Sequence, residues 1–563
     1  MISLKPKWRS FIVVAILLIA VALVFTACGT KKTTSNTTGG GTPVAGGTFN
    51  YPLMSEPVAI DPVVAYESEG MQVVHQVFQG LVKYQLNSKG EMELTPCIAS
   101  SWDHNADFTV WTFHLKHGVM FAPPVSREVH AQDFVDSWNF AALPANGSFV
   151  AYIFDAIKGF DPNTAYAPKG FTGLKVIDPY TLEITLRYKF AEFPVTLGHP
   201  VASVLPMDYI NKIGWKVYKE KPIGTGPYVV TAWNHKKSVE LVKNASYWDK
   251  ANAGYVDNIH MPIITSTSTI WLTFQKGELD YSYGPDGQIK KIANDPKAKD
   301  GTWIVKKTPE LGVYFVGVNM KDPVIGGDPN NIQSDPNWTK RQALYESADA
   351  ASIINFINEG VGVPATGMVP VGIPGYRANQ SPWSYDPAKA KTLIAAMPGG
   401  KMPTLQYWYN TDEGHKKIAE ALQSGWKAVG INVVLSNFEW STFLDKLSKP
   451  TNGSQIFRMG WLADYPSMDN FLWPQFEGHQ PGGNNSTFYN STKFNELLAE
   501  ARTTADDAQR WNLYAEAEKV LLNDIPAIPL YYYQQFRIYS PRVQGQVLDP
   551  MGFMDMWKVW VAK

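Results

Sequence analysis

The chain has almost no net charge. Its 563 residues include 50 Lys and Arg against 51 Asp and Glu, which leaves a formal net charge of −1. This composition creates no broad electrostatic field that would attract nucleic acid, so we expect no nucleic-acid partner. Apolar residues make up 45% and charged residues 18%, a balance that excludes a disordered or coiled-coil protein and is typical of a folded globular one.

The usual catalytic and metal-binding motifs are missing. The sequence has no His-Glu-x-x-His, no paired Cys-x-x-Cys, no acidic Ca²⁺ loop and no Gly-x-Ser-x-Gly elbow. His114 and His117 lie three residues apart on a predicted strand, where their side chains point to opposite faces and cannot share an ion. Gly224 and Gly226 precede Pro227 and a strand-like run, which favours a turn over a phosphate loop. We therefore expect no enzyme, no catalytic residue, no metal and no cofactor.

The first 28 residues have the pattern of an export signal. Lys5, Lys7 and Arg9 give a positive start, residues 11–25 are almost wholly apolar, and small residues precede Cys28. This pattern resembles a bacterial lipobox, and the resemblance implies cleavage before Cys28 and acylation of its thiol. The alternative is an uncleaved transmembrane anchor, for which the apolar run is slightly short. Either interpretation places the bulk of the chain outside the cytoplasm.

Cysteine is scarce, because the chain has only Cys28 and Cys97. If Cys28 carries lipid, no intrachain disulfide is possible and stability must come from core packing. Cys97 has apolar neighbours, so we interpret it as a buried small hydrophobic residue and not as a nucleophile. The 19 Trp, 27 Tyr and 27 Phe have two interpretations, a large core or a roomy cleft lined by aromatic rings.

The remainder of the chain predicts a mixed α/β protein. Residues 28–46 are polar and of low complexity, which indicates a flexible tether. From residue 47 onward the length favours two or three domains, and no run is apolar and long enough to cross a membrane. Alternation with period two predicts strands over residues 110–115, 181–186 and 238–242. Helical spacing covers residues 131–140, 340–357, 387–397, 415–429 and 491–522.

Several segments, taken in order, resemble the family-5 extracellular solute-binding proteins of ABC importers, closest to the oligopeptide-binding lipoproteins. The resemblance covers nearly the whole mature chain. The segments are residues 94–102, 111–115, 131–138, 224–228 with Trp233 and 244–248, 340–344, 385–390 and 524–532.

The resemblance implies a two-lobed, periplasmic-binding-protein-like α/β fold of type II, cluster C, with an extra subdomain and hinge closure over the ligand. Residues 1–27 would be the signal peptide, and the additional subdomain would span residues 88–205. Lobe II would span residues 306–533. Lobe I would combine residues 47–87, 206–305 and 534–563.

Residues 458–465 resemble the amine-recognition motif of this family, in which the aspartate, here Asp464, pairs with the α-ammonium of a peptide. Peptides of any sequence share only two charged ends and a backbone of alternating donors and acceptors. Enclosing an ammonium without a partner costs several kcal/mol, so a carboxylate must face it. The backbone of Gly460 and Leu462 would bond the ligand as an added strand. The alternative role of Asp464 is that of an ordinary turn or capping residue.

Other residues match the cleft of the family. Trp461 and Trp440 would be pocket walls, Asn410 and His415 would meet the far end of the ligand, and Arg458, His415 or nearby lysines would neutralise its carboxylate. For each aromatic residue, core packing is the alternative. Further ring surface would come from Tyr283, Tyr314, Phe315 and Tyr533. The chain departs from the family at Gly317, where some members have an acidic residue, and at Phe149, where tyrosine is common.

The resemblance implies a monomeric, lipid-anchored protein on the outer face of the bacterial cytoplasmic membrane. It would capture short peptides and deliver them to the transmembrane subunits of an ABC permease. An alternative within the solute-binding proteins is that the solute is a nickel chelate, haem, a sugar or an opine. A peptide-pheromone receptor and a secreted hydrolase are further alternatives, and the absence of a nucleophile motif argues against the hydrolase.

Overall fold

The computed structural model describes residues 42–562 except residues 286, 452 and 479–483. The predicted signal peptide, the predicted acylation site Cys28 and most of the predicted tether lie outside these residues. Among the residues that the structure describes, no helix combines the length and the apolar character that a membrane crossing requires. From Pro43 onward the chain packs as one unit.

Several of the longer helices begin at a residue whose side chain accepts a hydrogen bond from a free backbone N–H of the first turn. Asp386, Asp412, Ser491 and Asp506 each accept from the residue three positions further on. The helices of six residues or more are α1 Ser68–Val77, α2 Ala131–Ala141, α3 Met207–Ile213, α4 Thr267–Gln275, α5 Ile289–Asn294, α6 Trp338–Glu346, α7 Pro387–Ala395, α8 Glu413–Ala428, α9 Trp440–Leu447, α10 Met468–Phe476, α11 Thr492–Thr503 and α12 Asp507–Asp524.

Two of the predicted helices are interrupted in the structure. The helix predicted over residues 340–357 ends at Glu346, and helical backbone resumes only after Asp349, which caps the next turn by accepting from the Ser352 N–H. The helix predicted over residues 491–522 is two helices, α11 and α12, because Thr504 is extended and Asp506 begins a new cap. Local capping side chains offered the backbone an alternative that helical periodicity does not reveal.

The strands that were predicted from alternation are confirmed. Residues 110–115, 181–185 and 238–243 are the strands β5, β7 and β9. The strands are β1 Thr48–Asn50, β2 Val82–Leu86, β3 Met92–Pro96, β4 Ala99–His104, β5 Val110–Leu115, β6 Leu174–Asp178, β7 Thr181–Thr185, β8 Tyr228–Asn234, β9 Ser238–Lys243, β10 Asn258–Pro262, β11 Tyr281–Tyr283, β12 Ile304–Val318, β13 Val363–Pro364, β14 Leu405–Asn410, β15 Val433–Phe438, β16 Ile456–Leu462, β17 Ala527–Tyr539, β18 Val543–Gln544 and β19 Trp560–Val561.

Two four-stranded sheets belong to the first half of the chain. One has the strand order β1-β10-β9-β8, with β1 parallel to β10 and the remaining pairs antiparallel. The other, β4-β5-β7-β6, is wholly antiparallel and lies inside the predicted additional subdomain. In β5, Trp111, Phe113 and Leu115 are buried and alternate with half-buried residues, as a sheet with one face on the core requires.

The largest sheet is mixed and carries the long strands of the fold. Its order is β11-β17-β12-β16-β14-β15, with β13 also paired to β17. Strand β12 has 15 residues and β17 has 13, and the two run antiparallel along most of their length. The predicted lobe boundaries, 305/306 and 533/534, both fall inside these strands. Those boundaries remain predictions, but any motion between the lobes must bend β12 and β17.

Two large apolar cores hold the molecule together. The first is built mainly from residues 49–261 and 539–561, and the second mainly from residues 311–532. Each core covers a different sheet system, as in a two-lobed α/β binding-protein fold.

Candidate functional site

A cavity of about 380 Å³ lies between these two parts of the chain. Its walls come from α1, from the end of β16, from β11, β12 and β17, and from residues 549–558. Of the residues predicted to bind ligand, Asp464, Leu462 and Tyr283 line it. A volume of this size accommodates a small molecule or a short peptide.

Asp464 lies two residues beyond the end of β16 and presents a half-buried carboxylate to the cavity. Its Oδ2 accepts a hydrogen bond from the hydroxyl of Tyr152, which lies 312 residues earlier in the chain. The backbone N–H of Asp464 donates to the side-chain oxygen of Asn470 at 2.9 Å, and the Asn470 amide donates weakly to Oδ2 at 3.5 Å. The carboxylate therefore has hydrogen-bond donors but, within the described residues, no cation at salt-bridge distance.

Burial raises the pKa of Asp464 to about 6, although the hydrogen bonds from Tyr152 and Asn470 act in the opposite direction. The carboxylate does not cap the next helix, because Ser467 fills that position in α10. An enclosed carboxylate that lacks both a structural cation and a capping role is a suitable receptor for a ligand cation.

The edge of β16 beside Asp464 is open. Strand β14 pairs with β16 only at Ile456 and Phe457, while β12 follows β16 along its full length. The N–H of Ala463 donates to Leu311 of β12, and adjacent residues direct their backbone groups to opposite edges. The backbone groups of Gly460 and Leu462 therefore point to the open edge, where the described residues place no strand.

The Tyr533 side chain lies across the sheet and covers two glycines, Gly312 and Gly460. A Cβ added to Gly312 would lie 2.5 Å from the Tyr533 ring, and one added to Gly460 would lie 2.4 Å from the Tyr533 hydroxyl. The irregular register between Pro309 and Val313 places this part of β12 opposite the ring. Both glycines are thus required by the close approach of one side chain.

Five predicted site residues meet in a second cluster that does not line the cavity. Arg458 donates from Nη1 to the Asn410 side-chain oxygen at 3.0 Å, and its Cζ lies 4.9 Å from the centre of the Tyr314 ring. The Tyr314 hydroxyl lies 3.5 Å from Nδ1 of His415, and the rings of Tyr314 and Tyr533 are 6.4 Å apart. Burial, together with the charge of Arg458, lowers the pKa of His415 to about 4. His415 is consequently neutral at neutral pH and contributes no charge to a ligand carboxylate.

The remaining predicted aromatic residues do not face the cavity. Phe315 and Trp461 lie on the opposite face of the sheet from Gly460, where Phe315 packs against Phe476 and the Trp461 indole N–H donates to Asn470 at 3.0 Å. Trp440 begins α9, is 42% exposed and stacks on Phe443. For Phe315 and Trp461 the packing alternative describes the structure, because one residue of register places a side chain on the other face.

The structure adds residues around Asp464 and in the cavity wall that sequence reasoning missed. Tyr152 and Asn470 hold the Asp464 carboxylate, and Glu310, Gln535 and Arg537 form part of the cavity wall. Alternation along β17 was the available signal for Gln535 and Arg537, since both share a face with Tyr533. Tyr152 carries no comparable signal, because it lies in a short 3₁₀ turn of a distant segment.

Two further observations concern metal-ligating groups and the thiol of Cys97. Within the described ranges no group of three or more His, Cys, Asp or Glu side chains is placed to hold a metal ion. Cys97 is free and 3% exposed, which confirms the prediction that it is buried.

Comparison with known proteins gives consistent matches. Residues 93–483 match the family described as bacterial extracellular solute-binding proteins, family 5 middle. The chain is 30% identical to the oligopeptide-binding protein OppA of Bacillus subtilis over 566 residues, which covers 98% of each chain. It is 30% identical to the periplasmic oligopeptide-binding protein OppA of Salmonella typhimurium over 534 residues, covering 90% of this chain and 91% of the relative. Its fold is similar to that of the Escherichia coli murein tripeptide binding protein MppA, with a TM-score of 0.71, 25% identity and coverage of 92% and 98%.

Proposed function

Because the chain belongs to the family-5 bacterial extracellular solute-binding proteins, which bind solutes and are not enzymes, we propose that it captures short peptides in the cavity beside Asp464. One observation carries this proposal: an enclosed carboxylate without a structural cation stands at the end of a strand whose outer edge is open. The similarity to two oligopeptide-binding proteins supports it.

A peptide satisfies both features at once. Its α-ammonium supplies the cation that Asp464 lacks, and its backbone supplies donors and acceptors for the open edge at Gly460 and Leu462. Such pairing is independent of side chains, so it holds peptides of many sequences. Burying the ammonium without a carboxylate would cost several kcal/mol, which makes Asp464 the residue on which recognition depends.

The other predicted site residues differ in how close to the ligand this proposal places them. A peptide anchored at Asp464 and paired with β16 would extend along one side of that strand. Beside β16 on that side lie Arg458, Asn410, His415, Tyr314 and Tyr533. Trp461 and Phe315 would support the strand from behind without touching the ligand. Trp440 would meet only a ligand that reaches beyond the described cavity.

We further propose that lipid on Cys28 anchors a monomeric protein to the outer face of the cytoplasmic membrane. From there it would deliver ligand to an ABC permease. The family consists of extracellular proteins, and the relative from Salmonella is periplasmic, which supports this location.

The anchor leads to a direct prediction. Replacement of Cys28 by serine removes the thiol that would be acylated, so the protein should take up no fatty acid and should keep its apolar signal segment uncleaved. Fractionation with metabolic labelling by a radioactive fatty acid measures this. A Cys28→Ser protein that is still cleaved and labelled would contradict the lipid anchor.

The ligand class is tested by mass spectrometry of small molecules that co-purify with the protein. We expect a mixture of short peptides with free amino termini. Recovery of a haem, a metal chelate, a sugar or an opine in their place would reject the peptide proposal and identify the alternative solute.

Peptide affinity should depend on pH through Asp464. In the ligand-free structure its pKa is about 6, and a bound ammonium lowers that pKa because it favours the ionised carboxylate. Affinity should therefore be full above about pH 7 and decrease as the pH falls through 6, approaching tenfold per pH unit. Asp549, another cavity residue with a pKa near 7, also titrates in this range.

Calorimetry of one peptide between pH 5 and 8 measures this dependence. The matched control is Asp464→Asn, which should bind weakly with little change between pH 5 and 6. A variant that retains the full dependence would assign it to Asp549.

A further inference from the structure

The cavity wall contains a positively charged residue, Arg537, which has no part in the proposed binding of the peptide ammonium. It lies opposite Tyr283 in the pairing of β11 with β17, and its Cζ is 4.8 Å from the centre of the Tyr283 ring. Nη1 donates to the backbone oxygen of Phe536 at 3.1 Å, whereas Nε is enclosed and has no hydrogen-bond partner. The guanidinium lines the same cavity as Asp464.

The other enclosed arginines of the described chain show what Arg537 lacks. Arg127, Arg341, Arg502 and Arg510 each have a carboxylate oxygen within 3.5 Å. Arg458 has no carboxylate at that distance, but it donates to Asn410 and stays outside the cavity. Among the arginines of the described residues, only Arg537 lines the cavity, has a donor without a hydrogen-bond partner and has no carboxylate at salt-bridge distance. An enclosed guanidinium of this kind is stabilised when an anion arrives.

The surroundings of Arg537 include three tyrosines, an acid and an amide. The phenol rings of Tyr51 and Tyr281 stack on each other, and the Tyr51 hydroxyl lies 3.5 Å from that of Tyr283. The nearest acid is Glu310, which is beyond salt-bridge distance and accepts from the Gln535 amide at 3.0 Å. Tyr51 and Tyr283 line the same cavity, so a carboxylate that reaches Arg537 finds phenol hydroxyls there as further hydrogen-bond donors.

We propose that Arg537 binds a carboxylate of the ligand, an inference that rests on the proposed peptide function. Two parts of a peptide carry that group. One is the carboxyl terminus of a short peptide that crosses the cavity. The other is an acidic side chain on the first residue of a peptide that lies along β16.

The spacing of the two charged residues limits the ligand. Ala463, next to Asp464, bonds to Leu311 of β12, and Arg537 pairs with Lys306 of the same strand. Asp464 and Arg537 therefore lie on opposite sides of β12, about four residues apart along that strand. The distance between their Cα atoms is about 15 Å. Both side chains extend into the gap. At about 3.3–3.6 Å per residue, a bridging ligand has two to four residues.

The experiment is calorimetry with four peptides: Ala-Ala-Ala, its carboxyl-terminal amide, Glu-Ala-Ala-amide and Gln-Ala-Ala-amide. The proteins are wild type, Arg537→Gln, Arg537→Lys and, as the matched control, Arg377→Gln, which removes an exposed guanidinium outside the cavity. Thermal unfolding of each variant checks that it folds. In wild type we expect either the free acid to bind about ten- to a hundredfold more tightly than its amide, or the Glu peptide to exceed the Gln peptide by that factor.

Arg537→Gln should abolish that preference, Arg537→Lys should restore part of it, and Arg377→Gln should leave it unchanged. A preference for the free acid identifies the carboxyl terminus as the source, and a preference for Glu identifies the side chain. Equal binding of acid and amide and of Glu and Gln by wild type, or a preference that survives in Arg537→Gln, overturns the assignment. If none of the four peptides binds wild-type protein, the proposed function itself fails, which is a separate result.

Discussion

Replacing Asp464 by asparagine is expected to weaken peptide binding by about a hundredfold to a few thousandfold. The substitution keeps the shape of the side chain and its contacts with Tyr152 and Asn470 but removes the charge. An ammonium enclosed beside a neutral amide loses its buried partner, which costs about 3–5 kcal/mol. At 1.4 kcal/mol per factor of ten, this gives the expected loss of affinity.

A double-mutant cycle makes this result specific. N-acetylation of the peptide removes the ammonium, so wild-type protein should reject the acetylated peptide about as strongly as Asp464→Asn rejects the free one. The mutant with the acetylated peptide should lose less than the sum of the two single changes, because both break one interaction. Calorimetry of the four pairings measures the coupling. Full-strength binding of the free peptide by Asp464→Asn would show that the amine is read elsewhere or that the ligand is not a peptide.

Arg502 should dominate stability in a buried polar cluster that joins distant segments of the chain. Its Nε lies 3.1 Å from Oδ1 of Asp469, its Nη1 donates to Tyr188 at 3.4 Å, and its guanidinium stacks 3.9 Å from the Trp473 ring. Arg502 and Asp469 are 4% and 0% exposed. Tyr188 in turn donates to Asp155 at 2.8 Å, so the cluster connects the predicted additional subdomain with helices of the predicted lobe II.

The cluster continues through a second arginine. Arg510 lies 3.5 Å from Glu192, which also accepts hydrogen bonds from Ser467 and Tyr514 at 3.0 and 2.9 Å. Tyr514 further donates to Asp469 at 3.2 Å. The two buried carboxylates of Glu192 and Asp469 thus depend on the charges of two arginines.

Replacement of Arg502 by leucine should lower the free energy of unfolding by about 3–5 kcal/mol, because Asp469 remains buried without its cation. Urea unfolding followed by tryptophan fluorescence measures the change. The matched control is Lys449→Gln, which breaks an exposed ion pair with Asp445 at 2.9 Å and should cause no measurable loss. If both variants unfold alike, the cluster does not stabilise the junction between the two segments.

Much of this protein is predictable from local sequence. Period-two alternation located β5, β7 and β9 because each of these strands has one face on the core, and a single strand can display that pattern without its partners. The segment that resembles the family's amine-recognition motif, residues 458–465, is contiguous, so the prediction that it binds an amine did not depend on the rest of the chain. Burial of Cys97 followed from its apolar neighbours.

The helices predicted over residues 340–357 and 491–522 show where local reasoning fails. Asp349 and Asp506 satisfy free N–H groups and restart the helix, and periodicity continues across such an interruption because both halves bury the same kind of side chain.

What the sequence by itself determined is the family, the mixed α/β class and the position of the candidate amine site, because those depend on residues that are neighbours along the chain. Only the tertiary structure decided which side chains share a cavity with Asp464. It brought Tyr152 across to the carboxylate, turned Trp461 and Phe315 to the opposite face of the sheet, and placed Arg537 in the cavity wall instead of Arg458. The physical reason is that facing and register in a sheet depend on strands far apart in sequence, and a shift of one residue moves a side chain from the cavity to the core.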